Sequence, residues 1–419
     1  MFRRFFTLDP RWPTQDPSHP SSVTDLLDSR MRSLVPPPFC RCGLARVLAA
    51  VVGIAGGIEA AASEPLPLDG QIPPPPMYLA EPFVETGFAG MPSCIDADDS
   101  RCWPRWFAGA SGLVMTRTLP TGAATMQPVA GSQLLTSDAD FGWPGGLDLH
   151  VGRWFGDRQQ HAVEMIYWGV FQMGSSATLA AGPPGINAIP QAPGVSLRGT
   201  PAGEFLVGAT QQEVNRADVI SDIEINWIYS LWDRPEFLPR ERAVNLMWLA
   251  GFRYFQLNDQ LTLTTGSGDP AIGPLDFGVA TNNNIYGGQV GAKFDWRFLP
   301  RLRFNVVPKI MIGGNAITNT SSLASPTGTQ AIFAGGAPAR AFSELGVFSW
   351  LGSVDTSIAW DVTENWSLWL GYRVVGVGNI AQADNQWPTI ISSPSSLEGI
   401  AAGGETIIHG GFAGFQGRY

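Results

Sequence analysis

Asp148 and His150 are the pair in this chain most suited to chemistry. At i and i+2 of an extended segment their side chains share one face, where a carboxylate can orient an imidazole for general-base work. An ester hydrolase also needs a serine within reach of that histidine, and none stands at a recognisable spacing. The reading from residue type is therefore a hydrogen-bonded polar network, with hydrolysis as a third alternative. His161 and His409 fall in a turn and near a loop. Asp96, Asp98 and Asp99 begin like a calcium loop, but no Gly and Glu follow at the positions such a loop requires. Metalloprotease, phosphate-loop and nucleophile-elbow motifs are missing, so no metal site, no cofactor and no enzymatic activity are expected. Cys94 and Cys102 enclose a short acidic loop and are expected to form a disulfide if the chain is exported.

The other ionisable residues lie on the polar faces of alternating runs. Asp148, His150, Glu164, Asp222, Glu224, Arg253, Lys293, Asp295, Arg303, Lys309 and Arg373 are the candidate lining of an interior. In a pore such a mixed set would tune ion selectivity. In a closed barrel it would pair off and fill the space.

The runs that carry these residues repeat in a regular way. Trp154, Trp232, Trp296 and Trp360 each close an alternating run at a short polar turn, with spacings of 78, 64 and 64 residues. Gly-, Pro-, Ser- and Thr-rich gaps separate one hairpin from the next. The predicted strands are 106–117, 147–155, 161–173, 221–231, 243–256, 284–298, 302–315, 343–360, 366–377 and 407–419. Pro308 cannot donate to a ladder and predicts a bulge in the seventh strand. Most runs exceed the usual five or six residues and match the roughly 9–11 that a tilted strand needs to cross a bilayer. The fold class expected is all-β: a transmembrane, antiparallel, up-and-down β-barrel of about ten strands, or twelve if a long loop hides a hairpin.

Composition agrees. Charged residues make up 15% of the chain, against roughly 25% in soluble proteins. Mean hydropathy is only +0.04. The longest apolar run, 47–58, has 12 residues and falls well short of the roughly 20 of a spanning helix. It follows Arg41 and Arg46 and precedes Ala60-Ala61-Ala62-Ser63, which reads as a secretory signal within a leader of residues 1–62. Met31 as the start would give that signal an ordinary length. Residues 63–105 are Pro-rich and read as a periplasmic segment, and 106–419 as the barrel. The net charge of −10 disfavours nucleic acid as a partner.

An even strand count places both barrel ends on the short-turn side, taken as the periplasm. Trp154, Trp232, Trp296, Trp360 and Tyr419 form the expected turn-side aromatic girdle, although alternation puts Trp154 and Trp232 off the apolar face. The aromatic last residue resembles the terminal-strand signal read by barrel-assembly machinery, which becomes an expected partner beside outer-membrane lipid.

Three stretches carry a family resemblance: Trp106-Phe107-Ala108-Gly109-Ala110, Asn284-Ile285-Tyr286-Gly287-Gly288-Gln289-Val290-Gly291-Ala292 and Trp369-Leu370-Gly371-Tyr372-Arg373. Over residues 106–419 the chain resembles the planctomycete-type β-barrel porin family (its seventh numbered class). That resemblance implies an outer-membrane barrel with porin activity and no shared catalytic residues. The expected function is passive passage of small solutes. A structural or surface-binding barrel without conductance is the alternative, and an outer-membrane hydrolase the third reading. Oligomeric state is not legible.

Overall fold

The computed structural model describes residues 104–127, 133–182, 184–233, 235, 243–266 and 273–419. The leader, most of the Pro-rich segment and the Cys94–Cys102 pair lie outside the described residues.

Ten antiparallel strands close into one ring. They are β1 (Trp106–Arg117), β2 (Gly145–Phe155), β3 (His161–Met173), β4 (Gln211–Ser230), β5 (Val244–Gly266), β6 (Pro274–Leu299), β7 (Leu302–Ala324), β8 (Arg340–Asp361), β9 (Trp366–Ile380) and β10 (Gly404–Arg418). Each pairs with its sequence neighbours, and β1 pairs with β10 to close the circle. At that seam Arg105 and Trp106 donate their backbone N–H groups to the Tyr419 carbonyl at 2.8 and 2.9 Å. Both ends of the barrel therefore lie on the short-turn side. Closure pairs every strand on both sides at the turn end, while the upper part of β8, Arg340–Ser349, pairs with β7 alone.

Side chains alternate across the wall because the strand period is two. Outward residues of β4 from Tyr229 to Val219 are mostly large and apolar, with Ile223, Ile225 and Trp227 all exposed. Ten residues at about 3.3 Å each, tilted by roughly 40°, give a belt about 25 Å tall, the height of a membrane-barrel belt. Above it the outward residues of β5 turn polar: Asn258, Gln260, Thr262 and Thr264.

The five strands β4 to β8 continue past the belt and are 20 to 26 residues long, whereas the others have 11 to 15. The wall is thus tall on one side. This overturns the expectation that residues 174–220 hold no strand, while the local structure expected around 205–207 is the short helix Gly203–Leu206. β4 begins at Gln211, and Ser176–Ala180 resumes the β3 edge against it after a register shift between Val170 and Met173. The reason is physical. Above the belt the outer face meets water, so Glu213 and Asn215 stand where lipid would demand apolar groups, and the alternating signal disappears.

The loops fold inward onto the tall wall. Phe205 and Leu206 of the short helix Gly203–Leu206, with Ile186, Leu197 and Phe333, pack on Leu261, Leu263, Leu275 and Phe277. This cap is a second apolar core of side chains removed from water.

Pro308 does not produce the expected bulge. The β6–β7 register is the same on both sides of it, and the irregularity falls at Leu302/Arg303 beside the tight turn. Pro308 remains paired opposite Val354 of β8. Gly287 and Gly313 face each other on β6 and β7, and a Cβ on either would collide with the neighbouring strand's backbone. Gly313→Ala should therefore lower stability by about 1–3 kcal/mol, measured by urea unfolding in detergent.

Candidate functional site

The interior is stratified along the barrel axis. Nearest the turns lies a mixed ionic layer. Lys293 on β6 donates to both oxygens of Glu164 on β3, at 2.8 and 2.7 Å, across the lumen. Arg303 bridges Asp295 at 3.1 Å and Asp361 at 2.8 Å.

The middle layer is a denser network. Arg253 donates to Asp222 at 2.7 Å and, three strands away, to Ser353 at 3.1 Å. Lys309 crosses from β7 to Glu224 on β4 at 2.8 Å. Arg373 binds Asp148 and Asp355, each at 2.8 Å. All eleven candidate interior residues face inward. The charged ones among them, from Asp148 to Arg373, each engage a partner of opposite sign. Such pairing is what burial demands, since an uncompensated charge in a low-dielectric interior is costly.

Between these two layers a chamber of about 160 Å³ opens among Glu164, Lys293, Arg303, Lys309, Asp355 and Arg373. His150 lies on its wall, 4.0 Å from Asp148 and edge-on to Trp369 at 4.9 Å. Its Nε2 sits over Gly109, whereas the Ser111 hydroxyl leans the other way, over Gly414. The inward serine nearest the pair in register thus points away from the imidazole, and Asp148 is already held by Arg373.

Above the network the lumen is crossed by an apolar layer. Leu113, Met115, Trp168, Val170, Ile220, Phe255, Leu257, Ile285, Met311, Leu351, Val375 and Ile408 form one connected cluster, drawn with its other members from nine of the ten strands. Trp168 and Phe255, at 6.2 Å between ring centres, are both fully buried. Sequence reasoning missed this layer, but a signal existed. Trp168 shares the parity of Glu164, and Phe255 and Leu257 share that of Arg253, so large apolar residues stand on the polar face.

Directly above, beyond the belt, sits a third ionic cluster that the sequence did not single out. Arg117 on β1 contacts Asp218 on β4 and donates to Asp259 on β5 at 3.2 Å. Arg216 donates to Asp259 at 3.2 Å and to Asp384, in the loop after β9, at 2.7 Å. Arg216 also binds the carbonyls of Thr136 and Ala139 at 3.2 and 3.1 Å, tying a second loop down. Phe141 lies under both guanidinium groups, at 4.3 and 4.8 Å. Burial, and then the neighbouring Asp259 carboxylate, push Asp218 well above the usual carboxylate range. Asp259 goes the other way, because Arg117 and Arg216 outweigh the burial that would raise it.

The turn-side aromatics divide. Trp296, Trp360 and Tyr419 face outward and are about half exposed. Trp154 corrects the girdle assignment: it is 4% exposed and packs inside with Phe107 at 6.1 Å between ring centres. Strict alternation from Phe155, which faces out, compels this. Trp232 is half-buried within its turn.

Among the described residues, no group of His, Cys, Asp and Glu could hold a metal ion. No curated protein matches the chain. Solved structures similar to it include the outer membrane protease OmpT from Escherichia coli, at 12% identity and a TM-score of 0.42, covering 75% of this chain and 97% of that one. Another is the Ralstonia pickettii toluene transporter TbuX, at 9% identity and a TM-score of 0.27, covering 76% and 91%. The P. putida toluene transporter TodX gives 8%, 0.27, 76% and 91%. TM-scores this low carry no argument about this chain. The match that does is a family model spanning residues 110–394, most of the ten-stranded ring, and by it the chain belongs to the family Putative beta barrel porin-7 (BBP7).

Proposed function

We propose that this protein is an outer-membrane barrel that stands shut to solutes in its resting state and presents a folded cap on the side opposite its turns. The observation that carries this reading is the apolar layer, in which buried side chains from nine strands meet across the lumen. The two ionic layers beneath it are paired off and act as cross-braces. The chain is exported by its leader, the turns and both barrel ends face the periplasm, and the aromatic C-terminal strand is the handle for barrel assembly. Lipid is the partner of the outward belt. No catalytic role is assigned: among the described residues, the inward serine nearest His150 in register, Ser111, points away from it.

The refolded protein should insert into planar bilayers and show a heat-sensitive gel shift, yet give no stable current steps. Steady ohmic conductance in the unmodified protein would overturn the shut reading. It would favour a second one, a narrow porin for small polar solutes, which the charged turn-side chamber of about 160 Å³ supports.

A further inference from the structure

Arg153 breaks the pattern of the outer wall. The apolar belt runs from the turn end up to the level of Val114 on β1, Val219 on β4 and Tyr254 on β5. Among the described residues that face outward within it, Arg153 is the only Asp, Glu, Lys or Arg. It has no carboxylate partner among the described residues. Its guanidinium instead lies over two outward rings, Trp106 at 5.2 Å and Phe155 at 5.5 Å.

The position is one step in from the β2–β3 turn, at the level of the aromatic girdle. A guanidinium is tolerated on the lipid side only near the interface, where it can reach headgroups. His161, opposite Phe155 across the ladder, faces outward beside it. Its ring stacks on Trp227 at 5.5 Å with an 8° tilt and on Tyr229 at 5.2 Å. Arg153 and His161 are diagonal neighbours, roughly 7–8 Å apart on the same face. The aromatic rings hold the guanidinium in place while leaving its donors free. A planar fork of donors with no carboxylate fits a phosphodiester, which it can bind through two parallel hydrogen bonds.

We propose that Arg153, braced by Trp106 and Phe155 and flanked by His161, binds the phosphate of a phospholipid in the turn-side leaflet. The inference rests on the belt being lipid-embedded. The aromatic face would take the first carbons of the acyl chains and the arginine the phosphate, which fixes one lipid against the β1–β3 sector.

The test uses the refolded full chain and its Arg153→Gln variant, each in detergent micelles with phosphatidylglycerol, diacylglycerol or inorganic phosphate. Bound lipid is read by native mass spectrometry and protection by the temperature of the gel shift. Wild type should retain phosphatidylglycerol, with affinity falling at least tenfold in Arg153→Gln and partly recovering in Arg153→Lys. Equal retention by Arg153→Gln, equal binding of diacylglycerol, or equal protection by inorganic phosphate would each overturn the proposal. Flotation with vesicles separates the two levels. If neither protein floats, the membrane reading fails and the proposal with it. If both float and bind lipid alike, only the headgroup site fails.

Discussion

Near pH 4, Asp259→Asn should destabilise the barrel by about 3–5 kcal/mol, whereas Asp218→Asn should change stability by less than about 1 kcal/mol, both read from urea unfolding in detergent. The asymmetry follows from the loop-side cluster. Asp259 takes hydrogen bonds from Arg117, Arg216 and the Ala383 backbone. Removing its charge leaves Arg117 facing only the protonated Asp218 and weakens the hold on the Ala383 backbone of the cap, while Arg216 keeps Asp384. Asp218 is the third carboxylate facing two arginines. Its raised pKa favours the protonated form, which an asparagine imitates. The pH dependence follows with opposite signs. Asp218 contributes stability that is full below the ordinary carboxylate value and is lost as pH rises through its raised folded value. Asp259, held low, contributes stability present above the ordinary value and lost as pH falls through its folded value. Wild type should therefore lose stability as pH climbs from about 4, the ordinary carboxylate value. Asp218→Asn should show a flatter profile over that range. Equal losses in the two asparagine variants would contradict this division of roles.

The double variant Trp168→Ala/Phe255→Ala should convert a silent barrel into a conducting one. Each truncation removes a fully buried ring from the apolar layer and by itself should cost about 3–5 kcal/mol. The pair touches, so the two costs need not add. Once both rings are gone, only the polar groups of the middle network and the upper cluster, with the cap, would stand between the chamber lined by Lys293, Lys309 and Arg373 and the loop side. Current steps in the double variant, set against none in wild type, are the expected outcome in planar bilayers. A folded, heat-shifting double variant that stays silent would place the seal higher, in the loop-side cap.

Much of the barrel was legible because lipid imposes a strong pattern. Within the belt, apolar residues face out and polar ones in, so strands such as 106–117 and 161–173 emerged with their observed limits. Where the wall leaves the bilayer that contrast is lost. The upper halves of β4 to β7, with Asn258, Gln260, Thr318 and Thr320 facing water, therefore carry no clear strand signal in the sequence. The interior was legible as a set of inward charges but not as a plan of layers. Partners such as Lys309 and Glu224, or Arg373 and Asp148, lie three strands apart around the ring, and no local spacing encodes a chord across a barrel. The apolar layer was hidden for a different reason. A large residue on the polar parity, such as Trp168, reads as noise when each strand is taken singly, and becomes a seal only when nine strands contribute at one height.

The seam between β1 and β10 has a consequence for how the molecule comes into being. Phe107 pairs with Arg418, more than three hundred residues away, and the final residue closes the ladder. Nine of the ten strand pairings join sequence neighbours and can zip up as adjacent hairpins. The last joins β1 to β10 across more than three hundred residues, and the entropy of closing so long a loop makes it the slowest contact to form. Until then the half-built sheet carries two bare edges, each a template for another chain. Loss of a few C-terminal residues would accordingly matter less for the finished barrel's packing than for its birth, leaving an open ribbon prone to join a second copy.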